Sequence, residues 1–399
     1  MQKVNSLVPK LRFSEFEGEW NYADLSNLTN KVSIKNKDEL DYPIYSISNE
    51  NGFVPQGEQF SGLDSNERGY DTSMYKIVGK NTFAYNPARI NVGSIGYSEN
   101  LENVIISSLY VCFTTNEDVD DKLFLYYFKT GKFLKEVAKK VEGGVRDYLF
   151  YNNFGSIKYF YSTLPEQQKI ATFITAIDNR LQTLEKKKTL LKQYKKGIMQ
   201  KIFKQELRFK DEDGNAYPDW EFKNGNLLFK SISDKNHNSD LPILAITQDQ
   251  GAIPRHLINY NIGVSVKSVS SYKVVQVGDF IISLRSFQGG IEYSNYKGIC
   301  SPAYIILKPI DELDRTFYKY YLKTSNYIQE LTRKLEGIRD GKMISYKYFS
   351  EIKLPYPSVK EQTKIANFLS AIDKNIALVN TKIEHTKAYK KGLLQQMFV

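Results

Sequence analysis

The sequence predicts an α+β protein: two mixed α/β domains joined by two long helices forming an antiparallel coiled coil, arranged as a pseudo-two-fold internal repeat. Three observations predict it. Residues 166–203 and 361–398 align without a gap at an offset of 195, with 17 identities in 38 positions. Both segments carry apolar residues at a sustained three-four spacing, the signature of an amphipathic helix with a coiled-coil seam. The stretches between them hold short alternating apolar runs bounded by Gly, Asn, Asp and Pro, which read as strands and turns.

The elements follow in chain order. Residues 1–162 form the first domain, with strand-like runs such as YPIYSIS and NVIISSLYVCF, then a short helix and the Gly-rich basic loop EGGVRDYLF. Residues 163–204 form the first long helix. Thr163 with Glu166 reads as a capping box, Pro165 suits the first helical turn, and Ile170, Ile174, Ile177, Leu181, Leu184, Leu191, Ile198 and Ile202 mark its seam. Residues 205–357 form the second domain, in which SYKVVQVGDFIISL and GICSPAYIIL read as strands and the loop EGIRDGKMI echoes the first domain's basic loop. Residues 358–399 form the second long helix, opened by Ser358 and Glu361 and lined by Ile365, Leu369, Ile372, Ile376, Val379, Ile383, Leu393 and Met397. At about 1.5 Å per residue, 38 residues make a rod of roughly 57 Å.

The identities are concentrated at the ends of the repeat. Glu166, Gln167, Lys169, Ile170, Ala171, Phe173, Ala176, Ile177 and Asp178 recur in the second copy, as do Tyr194, Lys195, Lys196, Gly197, Gln200 and Phe203, whereas the centre drifts. A seam between unlike helices is free to diverge, so the centre reads as the self-pairing zone. The matched ends read as surfaces meeting something identical at both copies, either each copy's own domain or an outside partner present twice. Gly197 and Gly392, inside helical patterns where Gly costs about 1 kcal/mol, predict close packing or a local break. The repeat also reaches further: Leu11, Arg12, Phe13 and Trp20 recur as Leu207, Arg208, Phe209 and Trp220, which predicts neighbouring chain termini.

Composition narrows the class. With 41% apolar residues the chain has material for full cores, and two cysteines, Cys112 and Cys300, are too few for a disulfide framework or a thiolate zinc site. Both read as buried small side chains in a reducing compartment. The start of the chain lacks a secretory pattern, and no run of about 18 apolar residues occurs, so the expectation is a cytoplasmic protein with no membrane partner. The net charge is +10, and its placement matters more than its size. Residues 165–204 hold ten basic against three acidic side chains and 358–399 hold seven against three, which leaves the remainder with 38 bases and 39 acids. The helices carry the excess.

Catalytic signatures are absent. Asn86-Pro87-Ala88-Arg89 looks like an amino-methyltransferase tetrapeptide but lacks its second Pro and the aromatic residue that would stack a base. Residues 337–342 have too few positions between their glycines for a phosphate loop, and Met343 stands where Ser or Thr would bind magnesium. Pro218-Asp219 with Glu221 and Lys223 echoes a nuclease motif, yet its carboxylates are too close along the chain for the usual metal site. His237, His256 and His385 have no ligand spacing, so no catalytic, metal or cofactor residue is expected.

Binding features are better represented. Asn86, Arg89 and Asn91 lie where the second copy has Arg285 and Gln288, and Arg, Asn and Gln are the side chains that read guanine and adenine edges through paired hydrogen bonds. Arg146 in the first basic loop, and Arg339, Lys342 and Lys347 in and after the second, are candidates of the same kind. Lys186, Lys187 and Lys188 are candidate phosphate contacts. For each the bland alternative stays open: a solvated turn for the loop residues, a solvated helix face for the lysines.

Taken together, the LPEQQKIA-like helix starts at Leu164–Ala171 and Val359–Ala366, the YKKG-containing helix ends, the LRF…W segments and the EGGVRDYLF and EGIRDGKMI loops resemble the DNA specificity subunit of type I restriction-modification systems. The resemblance covers nearly the whole chain. It implies a noncatalytic subunit whose two target recognition domains each read one half of a split double-stranded DNA site, with the helices as a ruler for the unread spacer. It further implies that two modification subunits, which carry the S-adenosylmethionine site and the adenine methyltransferase chemistry, dock on the repeats. On the same resemblance, two restriction (motor-nuclease) subunits are able to join them to give the restriction enzyme. Because the domains differ where the helices agree, the target is expected to be asymmetric, with half-sites about one DNA turn, roughly 34 Å, apart. The competing readings are a standalone nucleic-acid-binding regulator and a coiled-coil adaptor for proteins.

Overall fold

The computed structural model describes residues 7–59, 64–69, 71–143, 147–238, 240–258, 269–310, 312–333 and 344–399. They fall into two compact units, Met1–Glu185 with Thr381–Val399, and Lys186–Asn380. The division cuts both long helices, Leu164–Phe203 and Val359–Met397, near their centres. Each unit therefore holds one globular domain, the start of the helix that follows it, and the end of the other helix.

In the first unit a four-stranded antiparallel sheet runs in the order Thr29–Val32, Val111–Thr115, Phe83–Tyr85, Ile95–Tyr97. The second unit repeats it with Phe229–Ile232, Ile305–Pro309, Phe280–Ile282 and Glu292–Tyr293. Strands at the two ends of each domain pair in the same register, Asn21 opposite Tyr161 and Glu221 opposite Tyr356. The other sheet is repeated more loosely. The first domain has five strands, Ile34–Lys35, Lys76–Val78, Val104–Ile106, Ile44–Ser48 and Gly52–Pro55. In the second, Lys273–Val275 pairs with Gly298–Cys300 and Leu244–Thr247 with Gly251–Pro254, and a parallel bridge between Ile243 and Ile299 joins the two pairs where Ile44 meets Ile105 in the first. Both layers thus keep their strand order, the outer one of the second domain with fewer paired residues.

The helix seam behaves as its spacing predicts. Ile170, Ile174 and Ile177 join Leu393, Met397 and Phe398 in the aromatic-rich core around Phe83, Phe113, Phe124 and Phe128. Ile365, Leu369 and Ile372 join Ile202 in the matching core around Phe229, Phe280, Phe317 and Phe349. Phe13 meets Phe173 edge-on at 5.7 Å between ring centroids, and Phe209 meets Phe368 at 5.3 Å. The repeated segment before each domain also closes on a helix end in the same way, with Leu11 N–H donating to the Gln396 carbonyl at 3.0 Å and Leu207 N–H to that of Lys201 at 3.2 Å.

Three expectations need correction. Neither capping box forms in full. Ser358 Oγ accepts from Glu361 N–H at 3.3 Å, but the Glu166 and Glu361 carboxylates turn away from the helix start and are 1% and 0% exposed. Arg12 donates to both oxygens of Glu166 at 2.8 and 2.7 Å, and Arg208 reaches Glu361 at 3.0 Å. A buried carboxylate needs full compensation, and the planar guanidinium fork supplies it where a helix N-terminus alone would not. Second, helix pairing is not confined to the drifting centre. Lys390 donates to Asp178 at 2.5 Å and Lys195 to Asp373 at 2.6 Å, so in each unit a matched helix start binds a matched helix end, running antiparallel. Third, Gly197 and Gly392 neither break the helices nor pack closely, because a Cβ at either position would meet nothing within 4 Å.

Removing Arg12 or Arg208 leaves a carboxylate buried without its partner, so Arg12→Ala and Arg208→Ala are each expected to destabilise by about 3–5 kcal/mol. Lys80→Ala, at the exposed Lys80–Glu102 pair, is expected to cost under about 1 kcal/mol in the same denaturant titration. Similar losses from all three would mean that Glu166 and Glu361 are hydrated.

Candidate nucleic-acid interface

In each unit a three-part polar bracket fixes the domain to the helices. Tyr126 O–H donates to Asp178 Oδ2 at 2.7 Å while Lys390 holds Asp178 Oδ1 and lies 4.9 Å from the Tyr126 ring centroid. Tyr320, Asp373 and Lys195 repeat it, at 2.7 Å for the hydroxyl and 4.7 Å for the ring. Burial first, and then the adjoining carboxylate, raises both phenols well above the ordinary tyrosine range, so they remain donors. A second device is Gln167, whose side-chain oxygen accepts from Asp120 N–H at 3.0 Å, matched by Gln362 accepting from Asp314 N–H at 2.9 Å. Asp120 and Asp314 in turn cap the helices Asp121–Tyr127 and Arg315–Tyr321. Each domain is oriented by residues that the repeat conserves within this chain.

On this scaffold the predicted loop residues cluster in turns of the four-stranded sheet. Asn86 is half-buried and is used locally, its Oδ1 accepting from Ala88 N–H at 3.0 Å, which shapes the turn. Arg89 and Asn91 are exposed on that turn. The basic loop comes to it: Leu149 N–H donates to the Pro87 carbonyl at 3.0 Å, and Tyr85 O–H to the Leu149 carbonyl at 3.0 Å. In the second unit Arg285 and Gln288 are exposed, and Thr332 Oγ1 donates to the Phe287 carbonyl at 3.2 Å, just before the second basic loop. Arg146, Arg339 and Lys342 lie outside the described residues. Lys347 is exposed on the short helix Tyr346–Glu351, which Tyr346 anchors through its hydroxyl to the Phe229 carbonyl at 2.8 Å.

The helix lysines form a separate group. Lys186 and Lys187 are exposed, while half-buried Lys188 donates to Asn380 Oδ1 and is thereby part of helix pairing. Cys112 and Cys300 are buried, and burial pushes their thiols up to about 11 and about 12, which leaves them unreactive. Among the described residues no helix is long and apolar enough to cross a membrane, and no cluster of His, Cys, Asp and Glu is placed to hold a metal.

Sequence reasoning missed one buried pair beside the second turn. Lys323 donates to the carbonyls of Gly289 at 2.8 Å and Gln248 at 3.1 Å and to the Glu292 carboxylate, whose side chain is 2% exposed. This clamp joins the Arg285–Gln288 turn to the hairpin Leu244–Pro254. Its only sequence signal is the Lys-Thr pair that follows two tyrosines in both copies, Lys129-Thr130 and Lys323-Thr324. Burial pushes the Glu292 carboxyl up to about 6 although Lys323 opposes the shift. The folded protein therefore holds this proton more tightly than the unfolded chain, where Glu titrates near about 4.3, so the carboxyl's contribution is most favourable below that value. It falls by roughly 2 kcal/mol as pH rises through the window to about 6. Glu292→Gln is expected to remove that slope from thermal melts taken between about pH 4 and 7. Parallel stability curves for the two proteins would show that Glu292 is not the group responsible.

The arrangement is one of exposed polar turns on a duplicated frame, and the chain has relatives among known proteins. The family model for the type I restriction modification DNA specificity domain matches twice, over residues 19–193 and 220–387. The protein named as the type I restriction enzyme MjaX specificity subunit of Methanocaldococcus jannaschii is 24% identical over 96% of this chain and 94% of its own. The MjaVIII specificity subunit of the same organism is 26% identical over 73% of this chain and 72% of its own. The crystal structure of the S subunit from M. genitalium superposes with a TM-score of 0.56 at 14% identity, covering 98% of this chain and 99% of that one. The two matches of the family model, one per domain and helix start, together take in most of the sequence. The chain belongs to the type I restriction modification DNA specificity family, and is a noncatalytic DNA-recognition subunit.

Proposed function

We propose that each domain reads one half of an asymmetric, bipartite double-stranded DNA site, through the turns carrying Arg89 and Asn91 in the first and Arg285 and Gln288 in the second. The observation that carries this reading is a contrast. The residues that orient the domains, Arg12, Glu166, Gln167 and Asp178 with their second copies, are the same, whereas the exposed turns differ in their side chains. An identical mount carrying different readers suits a target with two unrelated halves. Lys186 and Lys187 contact phosphates over the spacer in this reading, which their exposure at mid-helix supports. Arg146, Arg339, Lys342 and Lys347 remain candidates for the same DNA contacts.

The helices also serve a partner present in two copies: modification subunits that carry S-adenosylmethionine and methylate adenine, with two restriction subunits able to join them in the cytoplasm. Support comes from repeated residues that make no side-chain hydrogen bond, ion pair or ring contact among the described residues. Tyr194 and Tyr389 are 52% and 57% exposed, and each is followed three positions later, on the same helix face, by Gly197 or Gly392 with open space above it. Lys196 and Lys391, with Gln200 and Gln395, are exposed beside them.

Two experiments test these assignments. Exchanging residues 21–162 for another recognition domain is expected to change one half of the methylated sequence, read by methylome sequencing; a change in both halves would sink the modular reading. Gly197→Arg fills open space and should spare the helix, since Arg is the better helix former by up to about 1 kcal/mol. It is expected to reduce the bound modification subunits from two to one in native mass spectrometry, and an unaltered complex would remove the glycine faces from the docking surface.

A further inference from the structure

A pair of hairpin tips stands directly beside the turns that carry Arg89 and Arg285. In the first domain it is Ser48-Asn49-Glu50-Asn51-Gly52, and in the second Thr247-Gln248-Asp249-Gln250-Gly251. Both follow one formula: hydroxyl, amide, acid, amide, glycine. We propose that these tips are a second DNA-reading element in each domain, with Asn49 and Asn51, and Gln248 and Gln250, directed to base edges of the half-site that the domain recognises. The inference rests on the assignment of the neighbouring turns to DNA reading.

The first support is that the tips are held in place. Ser48 Oγ accepts from the N–H groups of Glu50 and Asn51 at 3.1 and 3.0 Å, and Thr247 Oγ1 accepts from Gln250 N–H at 3.1 Å. The hydroxyl thus satisfies the turn's own backbone, a task that Asn commonly performs in tight turns. Asn49, Asn51 and Gln250 are released from it, while Gln248 spends one amide hydrogen on the Arg285 carbonyl. Asn49 and Asn51 are exposed and have no side-chain hydrogen bond among the described residues, and exposed Gln250 reaches only its neighbour Asp249 at 3.5 Å.

The second support is fixed geometry relative to the reading turns. Ser94 Oγ donates to the Ile47 carbonyl at 2.8 Å, and a Cβ at Gly93 would lie 3.3 Å from the Asn49 carbonyl. In the other domain Gln248 Nε2 donates to the Arg285 carbonyl at 3.4 Å, a Cβ at Gly289 would meet the Gln248 side chain at 2.8 Å, and Lys323 bonds both segments at once. Tip and turn form one surface in each domain.

The third support is chemical. An Asn or Gln side chain offers the donor and acceptor pair that matches adenine N7 and N6. The central acid, Glu50 or Asp249, repels phosphate but can accept from the amino group of cytosine, so the tip suits a groove edge rather than the backbone. A surface meant for phosphates would carry the opposite charge.

The test uses the full chain with its modification subunit in a host whose methylome is sequenced. Asn49→Ala with Asn51→Ala is expected to relax at least one specified position in the first domain's half-site and leave the other half intact. Gln248→Ala with Gln250→Ala should do the converse, each with a loss of discrimination on the order of 10-fold or more. A parent motif unchanged in both variants overturns the proposal. Arg89→Ala with Asn91→Ala, run alongside, separates the two failures: if it alters the motif, the turns read DNA and the tips do not, and if it too is silent, the underlying assignment falls. Should a tip variant abolish methylation, its purified complex is titrated with a duplex bearing the parent motif and one altered in that half-site. Equal affinity for the two supports the proposal, and a retained preference for the parent duplex overturns it.

Discussion

Two buried carboxylates organise this protein. Glu166 and Glu361 enter their helices at the third residue, where a helix start would ordinarily welcome them, yet both are withdrawn from water and answered by an arginine about 150 positions away in sequence. Burying such a charge is costly unless its partner is fixed, so Arg12 and Arg208 have to be delivered accurately. Their own backbones are placed by the ring contacts of Phe13 and Phe209 with the helices and by bonds from Leu11 and Leu207 to the end of the opposite helix. Each ion pair therefore reports that three chain segments have met: the lead-in strand, the start of one helix and the end of the other. The Tyr–Asp–Lys bracket adds the globular domain to the same junction.

Constraint is concentrated at this junction. Both sheets keep their strand order in the two copies, the outer one of the second domain being joined through the single Ile243–Ile299 bridge. What differs between the domains is carried by the side chains of the turns. The proposed recognition by Arg, Asn and Gln at exposed turns needs rigidity behind it, and in one domain the clamp of Lys323 on two carbonyls and a buried carboxylate supplies it. The first domain has Lys129 at the corresponding position, exposed, and fixes its turn instead through the Ser94 hydroxyl and closely approached glycines.

Much of this was legible in the sequence because helical periodicity is local. The seam residues from Ile170 to Leu181 are buried as their spacing requires, and the helix bounds fall within a residue or two of those expected. What escaped was pairing between distant residues. The capping boxes do not form in full because a carboxylate at the third position can serve either its own helix start or a remote arginine, and nothing within the motif distinguishes the two. The helix glycines suggested close packing because an internal contact is the usual reason for tolerating Gly; here the space beside them is open. Lys186, Lys187 and Lys188 read as one basic run, but helical geometry sends Lys188 toward Asn380 and leaves the other two exposed. The hairpin tips went unnoticed because amide side chains in turns ordinarily serve the turn, and only the hydrogen bonds of Ser48 and Thr247 reveal that these do not.

The brackets also carry an arithmetic. Asp178 and Lys195 lie 17 residues apart on the first helix, as do Asp373 and Lys390 on the second, and each helix supplies the carboxylate to one bracket and the ammonium to the other. A single residue added between them on one helix would turn everything beyond it by about 100°, out of phase with a neighbour that had not changed. The equal interval on the two helices is therefore a property of the repeat itself, kept where most of the residues inside it differ.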